Sequence, residues 1–191
     1  MTHWGVLSLA LQYPDTELVA AQDELERTAA GSVPVSRFLA WQRELPLRTL
    51  QEAYVRTFDF DRRASLHLTY HTHGDRRERG IRLVALKRRY AEAGLPLTGN
   101  ELPDYLPVLL EFAALAPDEG VAILNELRAP LELVRSRLHQ VESPYADLLD
   151  AIVDDLPKPT KAQIDAALRL ADEGPPTELV GLEPFTPGAT R

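Results

Sequence analysis

The densest group of side chains that could do chemistry is a histidine-rich run near the middle of the chain. His67, His71 and His73 are followed by Asp75. On a helix, His67 and His71 would lie one turn apart, and imidazole and carboxylate groups at that spacing could ligate a metal ion. The alternative is a loop or helix end with exposed imidazoles. We predict no metal site here and keep a metal-dependent enzyme that uses these four residues as an alternative.

An arginine-rich run follows directly. Seven of the 21 basic residues fall between positions 76 and 89, in a chain whose formal net charge is −8. Arginine forks suit phosphate or carboxylate groups, so the run could form a local anion site. It could equally be the solvated face of a helix that buries Leu83, Leu86 and Tyr90. Asp75 would then cap that helix, and Arg79 would pair with Asp75 one turn away.

A third polar group surrounds two prolines further along. Glu101, Asp104 and Glu111 flank an apolar helical stripe. Carboxylates that act as an acid–base pair must be desolvated to shift their proton affinities, whereas acidic residues at a helix start usually stabilise the helix dipole. The chain contains no cysteine and none of the common motifs of hydrolases, nucleotide-binding enzymes or zinc proteases. Absence of these motifs does not exclude an enzyme, but nothing in the sequence requires catalysis, and we predict that the protein is not an enzyme and uses no cofactor.

The segments that must position these groups are almost all helical. Leu47, Leu50, Tyr54 and Phe58 are spaced by three, four and four residues, which places them on one stripe of a helix. Only residues 66–70 alternate like a strand, and a single strand would have no partner. Prolines separate the periodic segments. The sequence therefore predicts an all-α, single-domain bundle of about eight to ten short helices.

Capping residues mark several helix boundaries. Asp15 is expected to cap a helix that runs towards Gly31, and Ser143, which precedes Pro144, is expected to cap a later one. Pro117 and the two acidic residues after it open a further helix. Residues 1–157 are expected to form the helical domain, and residues 158–191 are expected to form one helix and a proline-rich flexible tail.

Composition limits the classes of partner. A globular chain of 191 residues is long enough to bury one core. Its acidic balance argues against nucleic-acid binding, and no segment approaches the ~20 apolar residues that cross a bilayer. The apolar N-terminal run has no basic residue before it, unlike a signal peptide. We expect a cytoplasmic protein that binds no nucleic acid and does not insert into the membrane.

Four short motifs lie in order along the chain. They are found at residues 9–15, 54–60, 66–80 and 101–107, and they include Tyr13-Pro14-Asp15, His73-Gly74-Asp75-Arg76-Arg77 and Glu101-Leu102-Pro103-Asp104-Tyr105. Together the four resemble the nitrate reductase delta-subunit family, the NarJ-type molybdenum cofactor assembly chaperones of the TorD-like superfamily. The likeness extends from about residue 5 to about residue 157.

The resemblance implies a TorD-like helical chaperone rather than a subunit of a finished enzyme. Such proteins hold the apo catalytic (alpha) subunit of a respiratory nitrate reductase and bind its N-terminal peptide. They permit insertion of the molybdenum cofactor before the complex attaches to the membrane. Cofactor-delivery proteins are possible further partners. A chaperone of another molybdoenzyme, such as a dimethyl sulfoxide or trimethylamine N-oxide reductase, is the alternative that the resemblance leaves open.

The resemblance also implies a peptide-binding site built from two of the motifs. The residues expected to shape it at a loop and helix start are Tyr70, Gly74, Asp75, Arg76, Arg79 and Gly80, and those expected to form an adjoining acidic rim are Glu101, Asp104 and Tyr105. Each could instead maintain the fold, the glycines through close backbone approach and the tyrosines as core aromatics. A basic helical peptide would place apolar anchors in a groove and basic side chains against the rim.

Overall fold

The structure, a computed structural model, describes residues 2–74 and 76–173, and within them helices joined by turns and loops make up the chain. Its helices are α1 (His3–Ala10), α2 (Thr16–Ala20), α3 (Gln22–Ala29), α4 (Val33–Arg43), α5 (Leu47–Phe58), α6 (Leu68–His73), α7 (Arg77–Glu92), α8 (Leu106–Leu115), α9 (Pro117–Glu126), α10 (Arg128–Gln140), α11 (Ala146–Asp154) and α12 (Lys161–Glu173). A 3-10 helix spans Arg62–Ala64. The predicted all-α fold is confirmed.

The described part of the chain has twelve helices because several of the predicted helices break at single residues. The helix expected from Asp15 towards Gly31 is divided at Ala21 into α2 and α3. α9 and α10 are separated at Leu127, three residues before Pro130. A proline has no N–H to donate, and its ring would clash with the carbonyl one turn earlier, so a continuous helix through Pro130 is disfavoured.

Two of the three predicted helix starts are confirmed. Asp15 Oδ1 accepts a hydrogen bond from the Leu18 N–H at 2.8 Å and caps α2. Pro117 is the first residue of α9. The prediction for Ser143 is wrong, since its hydroxyl has no hydrogen-bond partner and α11 begins only at Ala146. The intervening residues form a turn that places the Tyr145 ring in the core, where it is 1% exposed.

An aromatic cluster and a helix pair form much of the core. The Tyr145 ring contacts Phe38, Tyr54 and Phe58, with centroid distances of 5.0, 5.9 and 4.9 Å. α1 packs on α8 through fully buried leucines, and Ser8 donates a hydrogen bond from its hydroxyl to the Pro107 carbonyl at 2.8 Å. These contacts hold the inner face of α8 against the body of the bundle, so the outer face of α8 is free to form a surface.

The alternating segment at residues 66–70 makes one antiparallel bridge and then becomes α6. The Leu68 N–H donates to the Asp104 carbonyl at 3.0 Å, and the Leu106 N–H donates to the Leu66 carbonyl at 2.9 Å. No strand forms within residues 2–74 and 76–173. The bridge joins two segments that lie about 40 residues apart in sequence, and it therefore brings the first and third of the polar groups together.

The last described helix lies on the outside of the bundle. α12 packs against α10, has no fully buried residue, and is held in part by a hydrogen bond from Gln163 Nε2 to the Asn125 carbonyl at 2.7 Å. The proline-rich tail predicted after this helix lies in residues 174–191, outside the described residues. None of the helices that the structure describes combines the length and the apolar character needed to cross a membrane.

Two helical glycines provide a test of this packing. A Cβ atom added to Gly120 in α9 would lie 2.3 Å from Ala113 Cα in α8, whereas a Cβ at Gly80 in α7 would meet nothing within 4 Å. Gly120→Ala should lower the free energy of unfolding by about 2 kcal/mol because the two helices must separate. Gly80→Ala should raise it by about 0.5–1 kcal/mol, because alanine favours the helix. Urea denaturation measures both changes, and an unaltered Gly120→Ala variant would contradict the close crossing of α8 and α9.

Candidate functional site

A buried carboxylate lies where two of the polar segments meet. Asp104 is 0% exposed. Its Oδ2 accepts hydrogen bonds from the Thr69 hydroxyl at 2.5 Å and from the Thr69 N–H at 3.2 Å, and Arg79 Nη2 lies 3.4 Å away. His67 Nδ1 lies 3.4 Å from Oδ1. We call Asp104, Thr69, Arg79 and His67 the Asp104 cluster. These polar contacts offset the large desolvation penalty of a buried charge.

The Asp104 cluster keeps its carboxylate charged. Burial by itself would raise the pKa of Asp104, but hydrogen bonds from His67 and Thr69 and the positive charge of Arg79 lower it further than burial raises it. The net result is a pKa below the ordinary value for aspartate. The group is therefore an ionised anchor for its neighbours and not a proton donor at neutral pH.

Aromatic side chains surround the cluster. The Arg79 guanidinium lies 5.7 Å from the centroid of the Tyr70 ring, within cation–π range. The Tyr105 hydroxyl is hydrogen bonded to the Tyr54 hydroxyl at 2.9 Å, and the His67 and Tyr105 rings are 5.1 Å apart. Burial raises the pKa of Tyr105. Tyr70 and Tyr105, the two tyrosines of the predicted site, are thus half-buried. They lie where α6, α7 and the segment before α8 meet.

The remaining predicted residues at the start of α7 have separate surroundings. Gly74 ends α6 with φ 57° and ψ −140°, a conformation that side chains disfavour, so glycine is needed there. Gly80 and Arg76 are exposed. Asp75 lies outside the described residues, so its expected role as a helix cap stays a prediction. Arg79 has a described ion pair with Asp104, and its expected pair with Asp75 also stays a prediction.

The structure corrects the expected acidic rim. Asp104 is inside the protein and cannot contact a ligand at the surface. Glu101 is exposed, as expected, and the second exposed carboxylate is Glu111, which the site prediction omitted. Both line a groove of about 340 Å³ between the loop after α7 and the outer face of α8. Neither glutamate forms an ion pair with any residue that the structure describes.

Apolar side chains form the rest of this groove. We call it the acid-edged groove, and its apolar lining includes Leu95, Leu97, Val108, Phe112 and Leu115. Leu115 is 63% exposed although it lies in a helix whose other leucines are fully buried. Val108, Glu111 and Leu115 follow one another at intervals of three and four residues on the face of α8 opposite its buried stripe. This outward spacing is the sequence signal that could have indicated an exposed apolar face on α8, although not the groove that it lines.

The Asp104 cluster and the groove share a structural support. The Tyr90 hydroxyl donates a hydrogen bond to the Pro103 carbonyl at 2.8 Å, and the Tyr90 ring stacks on Phe112 with a centroid distance of 4.3 Å. The segment after Glu101 is thereby held at two adjacent residues, Pro103 by Tyr90 and Asp104 by the Asp104 cluster. The buried polar contacts therefore fix one edge of an exposed groove.

The histidines are used for packing and hydrogen bonds. His71 is fully buried, and its Nε2 lies 2.8 Å from the Ser65 carbonyl. His67 belongs to the Asp104 cluster, and His73 is half-buried at the end of α6. Within the described ranges 2–74 and 76–173, no three histidine, aspartate or glutamate side chains are arranged to hold a metal ion. The geometry gives no support to an enzyme that uses these histidines.

Comparison with known proteins identifies similar sequences. The family model described as nitrate reductase delta subunit matches residues 12–151. The nitrate reductase molybdenum cofactor assembly chaperone NarJ of Escherichia coli is 36% identical over 180 residues, which cover 88% of this chain and 75% of that protein. A probable chaperone of the same name from Bacillus subtilis is 34% identical over 157 residues, covering 78% and 85%. The probable assembly chaperone NarW of Escherichia coli is 35% identical over 152 residues, covering 78% and 65%.

Replacing the buried carboxylate tests its role as an anchor. Asp104→Asn should lower the free energy of unfolding by about 3 kcal/mol at pH 7, since it removes the charge from a buried pair. Because folding lowers the pKa of Asp104, its contribution is complete above about pH 4 and is lost as the pH falls through the folded value. The difference between variant and wild type in urea denaturation should therefore shrink towards pH 3. Asp172→Asn, at an exposed site on α12, is the control, and equal effects of the two substitutions would contradict the anchoring role.

A second variant tests the buried histidine. Burial lowers the pKa of His71, while Asp104 raises it and Arg79 and His67 lower it. The unfolded chain, with a histidine pKa near 6.5, binds the proton more readily, so stability is complete above about pH 7 and declines as the pH falls. His71→Gln keeps a donor for the Ser65 carbonyl but cannot titrate. Between pH 7 and 5.5 the wild type should lose about 1 kcal/mol more than this variant in urea denaturation; equal losses would contradict the prediction.

Proposed function

The chain belongs to the nitrate reductase delta-subunit family, and we propose that it is an assembly chaperone for the catalytic subunit of a respiratory nitrate reductase. In this proposal it acts in the cytoplasm and binds the apo catalytic subunit, including its N-terminal peptide. Release follows insertion of the molybdenum cofactor and precedes attachment of the complex to the membrane. The protein performs no bond chemistry of its own.

The acid-edged groove is the observation that supports peptide binding. Its lining is apolar, and its edges carry Glu101 and Glu111, which have no ion-pair partner among the described residues. An amphipathic helical peptide buries its apolar side chains in such a groove, and basic side chains on its flanks would pair with the two glutamates. The desolvated apolar floor supplies affinity, while the carboxylates select a basic ligand and set its orientation.

The length of the groove limits the length of helical peptide that it can hold. Val108 and Leu115 are seven residues apart on α8, so the helical wall between them is about 10 Å long. That length matches about two turns of a bound helix, enough for two apolar anchors at a spacing of three or four residues. Glu111 lies between the two ends of the wall, and Glu101 lies on the opposite edge, where the Asp104 cluster holds its segment.

A larger groove elsewhere on the protein fits this ligand less well. It has a volume of about 590 Å³ and lies between α5 and the segment that joins α10 to α11. Its edges carry Arg56 and Arg137 as well as Asp61 and Glu142, and Arg137 is already paired with Asp61. Since its charges are mixed and partly satisfied, it offers a basic peptide no net attraction.

The residues predicted for the site have different parts in this proposal. Glu101 contacts the peptide directly. Asp104, Arg79, Tyr70 and Tyr105 act as positioning residues, because they hold the segment that carries Glu101. Gly74 supports the turn before α7. The relatives quoted above are named for nitrate reductase, which favours that enzyme over a dimethyl sulfoxide or trimethylamine N-oxide reductase; co-purification of a molybdoenzyme subunit from cells respiring nitrate would distinguish the two.

Charge reversal at the groove tests the proposed function. In the double variant Glu101→Lys, Glu111→Lys, binding of a synthetic peptide from the N-terminus of the catalytic subunit should weaken about tenfold, because two attractive contacts become repulsive. Isothermal titration calorimetry at low ionic strength measures the dissociation constant. Added salt should reduce the difference between variant and wild type, since the charges are exposed.

Matched variants distinguish the contribution of charge to peptide binding from the contribution of apolar contact. Glu24→Lys reverses another exposed glutamate, on α3 and outside the groove, and should leave peptide binding unchanged. Leu115→Ser alters an exposed anchor of the groove without disturbing the core and should weaken binding at every salt concentration. If the wild-type protein is folded and does not bind the peptide, or if Glu24→Lys weakens binding as much as the double variant does, peptide recognition at this groove is refuted.

A further inference from the structure

The outward side of α7 carries an ordered row of side chains that the proposed groove does not use. Arg77, Ile81, Val84 and Arg88 follow one another at intervals of four, three and four residues, so they lie on one side of the helix. Ile81 is 63% exposed and Val84 is 69% exposed. Two branched apolar side chains thus lie side by side in solvent, with an arginine at each end of the row.

The core does not require this row. α7 is held to the body by its opposite side, where Leu86 and Tyr90 are buried and Leu83 is half-buried. The helix therefore has two apolar stripes, of which only one is covered. The uncovered stripe occupies the first half of α7, while the buried leucine and tyrosine lie in its second half.

Most of the charges around the row are basic. α7 contains six basic residues and two acidic residues, in a chain whose net charge is −8. Arg77 and Lys87 are exposed and form no ion pair with any residue in the described ranges, and the same is true of Arg76 just before the helix. Arg88 is exposed and pairs with Glu92 at 2.8 Å. The charges of Arg77 and Lys87 are therefore available to an outside ligand, whereas Arg88 would exchange its exposed pair with Glu92 for one with the ligand.

A glycine beside the row leaves room for close approach. Gly80 is exposed within α7, and a Cβ at that position would meet no atom within 4 Å. The fold therefore gains nothing from glycine there, although glycine weakens an exposed helix by about 0.5–1 kcal/mol relative to alanine. Absence of a side chain would let a second backbone pack close to Ile81. We call Arg77, Gly80, Ile81, Val84, Lys87 and Arg88 the α7 face.

We propose that the α7 face docks an acidic helical segment of a partner protein. Apolar side chains of that segment cover Ile81 and Val84, and its carboxylates pair with Arg77 at one end and with Lys87 and Arg88 at the other. The acid-edged groove has the opposite charge and selects a basic ligand. The α7 face is therefore a second interaction surface, for a different ligand, and it does not depend on the groove being correctly assigned.

Two other occupants fit less well. A second copy of this chain that paired through α7 would bring arginines next to arginines in either helix direction, which is repulsive. A membrane surface would gain only two apolar side chains, too few for stable binding. An acidic segment is the occupant that both the apolar centre and the basic ends favour.

Photo-crosslinking tests the proposal in the full-length chain. The photoreactive amino acid p-benzoylphenylalanine replaces Ile81, and after irradiation in the native host the adduct is mapped by mass spectrometry. The expected adduct lies in an acidic helical segment of another protein, and its yield should fall about tenfold when Arg77→Glu and Arg88→Glu are added. The same probe at Val33, which is 77% exposed at the start of α4, is the control.

A synthetic peptide of the mapped segment then tests charge complementarity. Arg77→Glu should weaken binding of this peptide about tenfold, and a peptide in which the facing glutamate is changed to lysine should restore binding to that variant. An adduct yield no greater than at Val33 would overturn the proposal. So would an adduct on lipid, on a second copy of this chain or on a segment without carboxylates, or a failure of the charge exchange to restore binding.

Discussion

A buried carboxylate joins the segments from which the candidate site is built. Asp104 accepts hydrogen bonds from Thr69 at the start of α6 and forms an ion pair with Arg79 in α7. Without these partners the buried carboxylate would carry an uncompensated desolvation penalty. Without the carboxylate, Thr69 and Arg79 would lose the acceptor that they share. The bridge beside Asp104 then places Glu101 at the edge of a groove. An exposed surface thus depends on a carboxylate that is itself fully buried.

Local sequence signals account for the elements of the fold. Helical periodicity identified the buried stripes, and Asp15 could be recognised as a cap because its carboxylate needs only an N–H three residues away. Ser143 carries the same signal and does not cap, since burial of the neighbouring Tyr145 ring decides where α11 begins. The break at Leu127 has a similar explanation, because Pro130 constrains a residue on the preceding turn. Boundaries set by tertiary packing could not be predicted from local rules.

The sequence motifs contain residues of the Asp104 cluster, but they do not indicate how these residues are arranged. The motifs contain Asp104 and Arg79, yet an aspartate near a helix start is ordinarily exposed, and nothing local indicates that Thr69, 35 residues earlier, will donate two hydrogen bonds to it. The groove was missed because its walls come from a loop and a helix whose facing sides are decided by packing. Glu111 and Leu115 lie on the outer, exposed face of α8, and only the fold shows that this face lines a cavity.

The net charge of the chain does not show that it has two separate surfaces of opposite charge, the acid-edged groove and the α7 face. A value of −8 suggests a uniformly acidic protein, yet the α7 face is basic and the groove is acidic. Tyr90 lines the groove from the covered side of α7, where Leu86 is also buried. The row from Arg77 to Arg88 lies on the opposite side of the same helix, because its members are spaced by three and four residues and stay exposed. A basic peptide in the groove and an acidic helix on the α7 face would therefore occupy different sides of one helix, and neither would cover the other's apolar contacts.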